Sequence, residues 1–439
     1  MGCGYIVPNP MIDSYSVVPL NGPWKFHTGD DPRWAAPTFD DSAWENVDLA
    51  PPPLGSHDAD VGLTGYVPGR TTKGHPGYSG YAWYRISVAI TAPRGATLAL
   101  SGPPDVDDAY QLFFNGHLLG SAGNFSGATP AVYSIQPRIF RLPQSPASAS
   151  ADKPVVSVLA FRVWMDRSSL SSPDAGGIHI APALGPTRGI ESRYDLQWMQ
   201  TFWGYVVDAI LPVLFVLLAI MACALIPFDP SDAAYRWLAV ALLLIALIRL
   251  NQALFFWFQF ESVPAFDFAR NVFLDPLNFA AWTMAWRAWF QLRTPKWTPK
   301  AVAAFTVLYM AAQFLTRPSL HLALSHPVSA AFHSISSGVR LLFALLLLFI
   351  VHQGIRRCGR DARLALPAVL LISIGLFAKD LSALRIPGIW FPYGVGVSRT
   401  QFAYAAFVVA LFALLLRRLF CFASRSRRLV PEPRPAETL

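Results

Sequence analysis

Between residues 203 and 422 the chain is almost continuously apolar, and this constrains it more than any other feature. An α-helix needs ~20 apolar residues to cross ~30 Å of hydrocarbon, and inside a bilayer only helices or closed barrels satisfy their own backbone polar groups. Seven such stretches can be marked, at about 203–226, 234–257, 265–291, 299–317, 328–352, 362–384 and 398–422. Positive charge follows every second one. Arg293, Lys296 and Lys300 come after the third, Arg356, Arg357, Arg360 and Arg363 after the fifth, and Arg417, Arg418, Arg425, Arg427 and Arg428 after the seventh, whereas the alternate loops hold only Arg385. The positive-inside rule then predicts a cytoplasmic C-terminus, and an odd number of spans puts residues 1–200 on the other side.

The two halves differ in charge as well as in hydropathy. Residues 1–200 hold 13 Lys+Arg and 17 Asp+Glu, net −4, which leaves +12 for the apolar half. The overall charge of +8 is therefore a membrane-topology signal, and no nucleic-acid partner is expected. Of the four cysteines only Cys3 lies in the first two hundred residues, so that half must hold together on its core alone. Its texture is β. Short apolar or alternating runs at 81–90, 96–102, 109–116 and 155–164 are separated by Gly, Pro, Asn and Asp, and Asn115-Gly116 is a two-residue hairpin signal. Residues 1–19 read as a tail without the basic and apolar regions of a signal peptide, so an exported domain implies an earlier start. Residues 50–80 and 143–153 read as surface loops. The fold class expected is a β-sandwich of jelly-roll type over 20–197, outside the cytoplasm, then an all-α seven-helix transmembrane bundle over 198–422 and a basic disordered tail over 423–439.

Within residues 20–185 the motifs Trp24-Lys25-Phe26, Phe39-Asp40-Asp41-Ser42-Ala43-Trp44, Ala82-Trp83-Tyr84-Arg85, Asp107-Asp108-Ala109-Tyr110, Phe114-Asn115-Gly116 and Leu159-Ala160-Phe161-Arg162-Val163-Trp164 occur in order. This set resembles the N-terminal galactose-binding-like jelly roll of family 2 glycoside hydrolases. The resemblance implies a non-catalytic sugar-binding module, the hydrolytic residues of that family lying on a separate barrel. The residues agree with that implication. Of five glutamates only Glu45 and Glu191 lie in the first half, and neither has the setting of a glycosidase acid or nucleophile, so no catalytic residue and no enzyme activity are expected.

A sugar site needs flat aromatic faces and a few planar polar groups. The candidates are Tyr78, Tyr81, Asp105, Asp107, Asn124, Trp164 and His179. Trp44, Trp83 and Trp164 also fit a core role, Arg85 and Arg162 fit ties from strands to acidic loops, and Asp107 and Asp108 fit a strand cap or a structural calcium site. No other cofactor and no metal cluster are expected, because the nine histidines are scattered and none pairs with a cysteine at ligand spacing.

A β-rich exterior module joined to seven spans is similar in architecture to the bacterial seven-transmembrane receptors with diverse intracellular signalling modules. That resemblance implies a sensor in the bacterial inner (plasma) membrane that binds a carbohydrate-like or other small ligand outside and signals through the helices. Only seventeen residues follow the last span, so the output is expected from a cytoplasmic signalling protein in trans or from a domain missing from this sequence. The alternative is a transporter or membrane-embedded enzyme whose exterior module captures substrate. Charges at bilayer depth are costly and mark functional candidates: Asp208, Arg249, Asp267, Arg270, Asp275, Arg340, Lys379, Asp380 and Arg399. Pairs such as Arg249 with Asp275 and Arg340 with Asp380 could exchange partners in a relay, or could simply fix the packing of the bundle. The ligand, the pocket face and the oligomeric state are not legible.

Overall fold

The computed structural model describes residues 11–12, 16–53, 65–91, 96–127, 129–131, 136–143, 154–171, 174–258, 261–317, 320, 326–384 and 399–429. Of the surface loops expected at 50–80 and 143–153, residues 54–64 and 144–153 lie outside these, as does the end of the tail from residue 430. Thirteen strands come first: β1 (Met11–Ile12), β2 (Val18–Pro19), β3 (Trp24–Thr28), β4 (Glu45–Val47), β5 (Gly80–Ile90), β6 (Leu98–Ser101), β7 (Val106–Asp107), β8 (Ala109–Phe114), β9 (His117–Ala122), β10 (Ile139–Arg141), β11 (Val155–Met165), β12 (Gly177–Ile178) and β13 (Ala183–Pro186).

One sheet runs in the order β4-β3-β5-β11-β8-β9, with β1 added parallel to β5. A second runs β10-β6-β13-β2, and β7 with β12 forms a two-stranded ladder. The long pair β5 and β11 is antiparallel through its whole length, Val155 facing Ile90 and Met165 facing Gly80. Its alternation places Trp83 on one face, with Trp44 and Ala35, and Tyr84 and Phe161 on the other. The second face meets Leu100, Phe140 and Leu184 of the smaller sheet, so both sheets bury one apolar core. The hairpin joining β8 to β9 turns at Asn115 and Gly116, both at positive φ (47° and 86°), as an Asn-Gly turn requires. Arg85 reaches the carboxylate of Asp41 and the carbonyls of Trp34 and Ala36, and Arg162 holds Asp30, the two strand-to-loop ties the sequence suggested.

The helices follow: α1 (Thr187–Leu225), α2 (Ala233–Phe258), α3 (Val263–Phe268), α4 (Asp275–Trp289), α5 (Thr298–Leu315), α6 (His326–Cys358), α7 (Arg360–Leu376), α8 (Ala378–Ala383) and α9 (Arg399–Leu429). Helix α1 starts eleven residues earlier than the expected boundary at 198. The reason is packing: Ile190 in its first turns is fully buried against Ala99 and Ala183 of the smaller sheet. The helix therefore grows out of the β region instead of following a linker.

Among the described residues four helices are long and apolar enough to cross a membrane, through Ala209–Phe228, Ala233–Phe255, Val328–Cys358 and Thr400–Phe422, where seven spans were expected. The stretch expected at 265–291 is divided into α3, a π-helical turn (Ala269–Leu274) and α4, with prolines at the starts of both α-helical pieces. Helix α5 has only 18 residues, and the stretch at 362–384 breaks at Phe377 into α7 and the short α8. The helices share a core of Phe215, Trp282, Trp286, Phe343 and Phe407. Their outer faces carry large exposed apolar side chains, among them Leu348, Leu370, Val409 and Phe420, which water does not stabilise and hydrocarbon does.

Candidate functional site

The polar residues of the β region converge where two distant loops close together. The chain from Tyr66 to Thr71 lies against the chain from Asp174 to Ile180, joined by backbone bonds from Val67 N to His179 O, Arg70 N to Gly176 O and Thr71 N to Ala175 O. Asp174 clamps the same junction, accepting from Gly69 N at 2.7 Å and from the Tyr66 hydroxyl at 2.5 Å. Tyr66 stacks on the His179 ring, nearly parallel, with centroids 4.9 Å apart. Gly177, at φ 92°, has no side chain to collide with the Tyr84 hydroxyl, which approaches it closely.

His179 sits at the centre. Its Nδ1 is 3.0 Å from the Val67 carbonyl and its Nε2 is 3.2 Å from Asp107, so both ring nitrogens face acceptors and the doubly protonated ring is favoured. Burial alone would lower its pKa, but Asp107 and Asp105 outweigh burial and push it up to about 10. Burial in turn would raise Asp107, and the His179 cation with the Gly176 N–H holds it below the ordinary carboxylate value. Asp105 and Asp108 go the other way. Burial raises Asp105 to about 6 against the pull of His179, and burial with Asp107 alongside raises Asp108 to about 8. Asp108 accepts from Asp166 N and the Ser169 hydroxyl. Ser169 belongs to a 3₁₀ helix, Arg167–Ser171.

Arg70 joins this cluster to an aromatic patch. It is buried, lies over the Tyr78 ring at 4.9 Å, and its Nε and Nη1 find no acceptor among the described residues. Tyr78 donates to the Tyr81 carbonyl at 2.6 Å. Tyr81 and Trp164 face each other across β5 and β11 with centroids 4.7 Å apart, and Arg162 lies 3.9 Å over the Tyr81 ring. Of the seven residues picked from sequence the structure brings Asp105, Asp107 and His179 together, with Tyr78 under Arg70. Tyr81 and Trp164 pair with each other on the Trp83 face of β5 and β11, opposite Tyr84. Asn124 stands apart: it is exposed, and its side chain serves the turn at Ser126. Arg70, Tyr66, Asp174 and Ser169 complete the site without having been singled out, together with Asp108, which the sequence suggested as a strand cap or calcium ligand. Tyr66 and Asp174 are 108 positions apart, and no spacing could have linked them.

Chemically the site offers fixed acceptors, unsatisfied guanidinium N–H donors and aromatic faces, which suits a small polyhydroxylated or acidic ligand. Glu45 and Glu191 are in ion pairs with His75 and Arg141 at the surface. The carboxylates of Asp107 and Asp108 turn to different partners, and among the described residues no group of three or more His, Cys, Asp or Glu is placed to hold a metal.

The charged residues of the helical region form a second group. Asp267 on α3 is buried and receives Arg317 at 2.8 Å on both oxygens, with Asn271 at 2.7 Å. Lys379 reaches Asn271 at 3.0 Å and Asp275 at 3.8 Å, and Arg340 reaches Asp380 at 3.0 Å. Arg340 with Asp380 is a pair the sequence suggested. Arg249 with Asp275 is not formed: Arg249 lies over Tyr404 at 4.6 Å and bonds Gln252, because Lys379 occupies the side of Asp275. Arg270 lies over Phe266. The side chains of Asp208 and Arg399 fall outside the described residues. The two groups adjoin, since the 3₁₀ helix carrying Ser169 packs on α3, which carries Asp267.

No protein-family model and no curated protein matches the chain. Among solved structures, part of the chain is similar to part of several glycosidases. A β-glucuronidase of Bacteroides uniformis is 22% identical over 38% of this chain and 17% of its own, with a TM-score of 0.24. A glycosyl hydrolase family 2 member from Bacteroides cellulosilyticus is 18% identical over 38% and 20%, with a TM-score of 0.27. A Bifidobacterium dentium β-glucuronidase is 17% identical over 36% and 22%, with a TM-score of 0.24. The chain therefore spans less than a quarter of the length of these enzymes, and their activity stays with them.

Proposed function

We propose that this chain is a membrane sensor whose β region, a jelly roll of the family 2 type outside the cytoplasm, binds a carbohydrate-like ligand and passes the change into a seven-segment helical bundle. The observation that carries this reading is the double attachment of the site to the helices. Helix α1 runs unbroken for 39 residues from the end of β13 into an apolar span, and the Arg167–Ser171 turn that bonds Asp108 rests on α3 beside the Asp267–Arg317 pair. A ligand that drew on Asp107, Arg70 or the Tyr81–Trp164 face would shift the Asp108–Ser169 contact and with it α3. The buried pair and the π-helical turn that follows α3 give the bundle an element able to settle in two arrangements. In a bacterial inner membrane with the C-terminus inside, a separate signalling protein would read the change at the basic inner face.

The test is a thermal-shift titration of the full chain in detergent against monosaccharides, oligosaccharides and small acids, since a ligand of the native state raises the unfolding temperature by mass action. A saturable shift with one sugar class, lost in Asp107→Asn and Trp164→Ala, is the expected result. A folded chain that shifts with none of them would overturn the reading.

A further inference from the structure

At the end of the bundle remote from the β region lies a cavity of about 300 Å³. Its lining comes from the far ends of the helices. All four membrane-length spans stop or start there, at Phe228, Ala233, Cys358 and Phe422, and the lining includes Asp229, Tyr235, Cys358 and Phe422 themselves. The cavity therefore sits where hydrocarbon gives way to the headgroup layer, the depth at which Trp and Tyr belts also sit.

Its charges are built in and balanced. Asp229 and Asp232 face Arg417 and Arg418 around one space. Arg418 is fixed three ways: Nη1 to Asp232 at 3.1 Å, Nη2 to the Trp289 carbonyl at 3.2 Å, and its guanidinium 3.7 Å over the Trp289 ring. A simple anion would meet two carboxylates here, and a simple cation two guanidiniums. A group bearing a phosphate and an ammonium a few atoms apart meets both. A shallow groove shares Arg417 and Cys421 with the cavity and continues over Ala413, Leu416 and Phe420, the last 69% exposed. Polar cavity and apolar groove thus meet at Arg417.

We propose that this cavity is a binding site for an aminophospholipid of the phosphatidylethanolamine type, its phosphate at Arg417 and Arg418, its primary ammonium toward Asp229, and an acyl chain along Leu416 and Phe420. A lipid held there lies among the ends of α2, α4, α6, α7 and α9, so it also ties the remote ends of the bundle together. This goes beyond the sensor reading and does not depend on it.

The test is native mass spectrometry of the full chain in detergent with phosphatidylethanolamine, phosphatidylglycerol or phosphatidylcholine of identical acyl chains. The first should be retained about tenfold more than the other two, the scale of one additional charge-assisted contact. Arg417→Gln and Cys421→Trp, both at exposed positions, should each reduce its retention about tenfold while leaving the unfolding temperature of the lipid-free chain unchanged. Asp229→Asn should abolish the preference over phosphatidylglycerol. Equal retention of the three lipids by the unaltered chain, or full retention in both the Arg417 and Cys421 variants, would overturn the proposal. Displacement of the lipid by an equal concentration of soluble phosphoethanolamine would overturn the lipid as occupant.

Discussion

The β region and the helical region each bury a carboxylate against a cation, and they do so under different conditions. Asp107 and His179 meet at 3.2 Å with the carboxylate side chain still 30% exposed, while Asp267 and Arg317 meet at 2.8 Å with side chains 9% and 4% exposed. In the first pair the partner can lose its proton, so the attraction is set by pH. In the second it cannot, because a guanidinium stays charged at any accessible pH. The comparison teaches that the β pair can respond to its surroundings, whereas the helical pair is held permanently and can only be moved.

The strongest way to break the comparison is to remove one partner of the helical pair. Arg317→Ala leaves Asp267 buried without its cation, and a loss of about 4 kcal/mol is expected in denaturant unfolding of the full chain. Replacing both together, Asp267→Leu with Arg317→Met, should restore most of it, which would show that the cost belongs to the orphaned charge. His179→Ala is the matching change in the β region. It should cost about 2 kcal/mol, less than the helical case because water reaches the remaining carboxylate.

The sequence made these regions legible in opposite ways. In an apolar run any charge stands out, so Asp267, Asp275, Arg340 and Lys379 were all found one by one. Their partners were found only in part, because pairing depends on how helices pack: Arg340 was matched to Asp380, but Arg249 was matched to Asp275, which has Lys379 beside it. In the β region the strands and the Asn115-Gly116 hairpin were legible from alternation and turn chemistry. Arg70, Tyr66 and Asp174 were not, since ordinary polar residues in loops carry no signal until the fold brings residues over a hundred positions apart into contact. The expected number of spans exceeded the number of membrane-length helices because charge and proline divide the 265–291 stretch.

Titration sharpens the contrast. Asp108 is raised from 3.8 to about 8 and His179 from 6.5 to about 10, so the folded β region binds both protons more tightly than the unfolded chain does. Their stabilisation is complete below the unfolded values and is lost as pH rises through the folded ones. Hydrogen-exchange protection of Val155–Met165 should therefore fall between pH 6 and 8, where both groups lose stabilisation, and fall about half as steeply in Asp108→Asn, which leaves the His179 share. An unchanged slope in that variant would assign the effect elsewhere. The smallest expected effect is at the hairpin: Gly116→Ala forces a side chain into positive φ and should cost about 1 kcal/mol, confined to β8 and β9.

On the proposed sensor reading the β-region site and the bundle are one coupled system, joined where the Ser169 turn meets α3. Hydrogen exchange on the full chain in detergent, with and without a saturating sugar that raises its unfolding temperature, tests this most directly. The account predicts that protection changes together in Arg167–Ser171 and in Val263–Phe268. Changes that stop at the β region, with α3 unaltered, would contradict it.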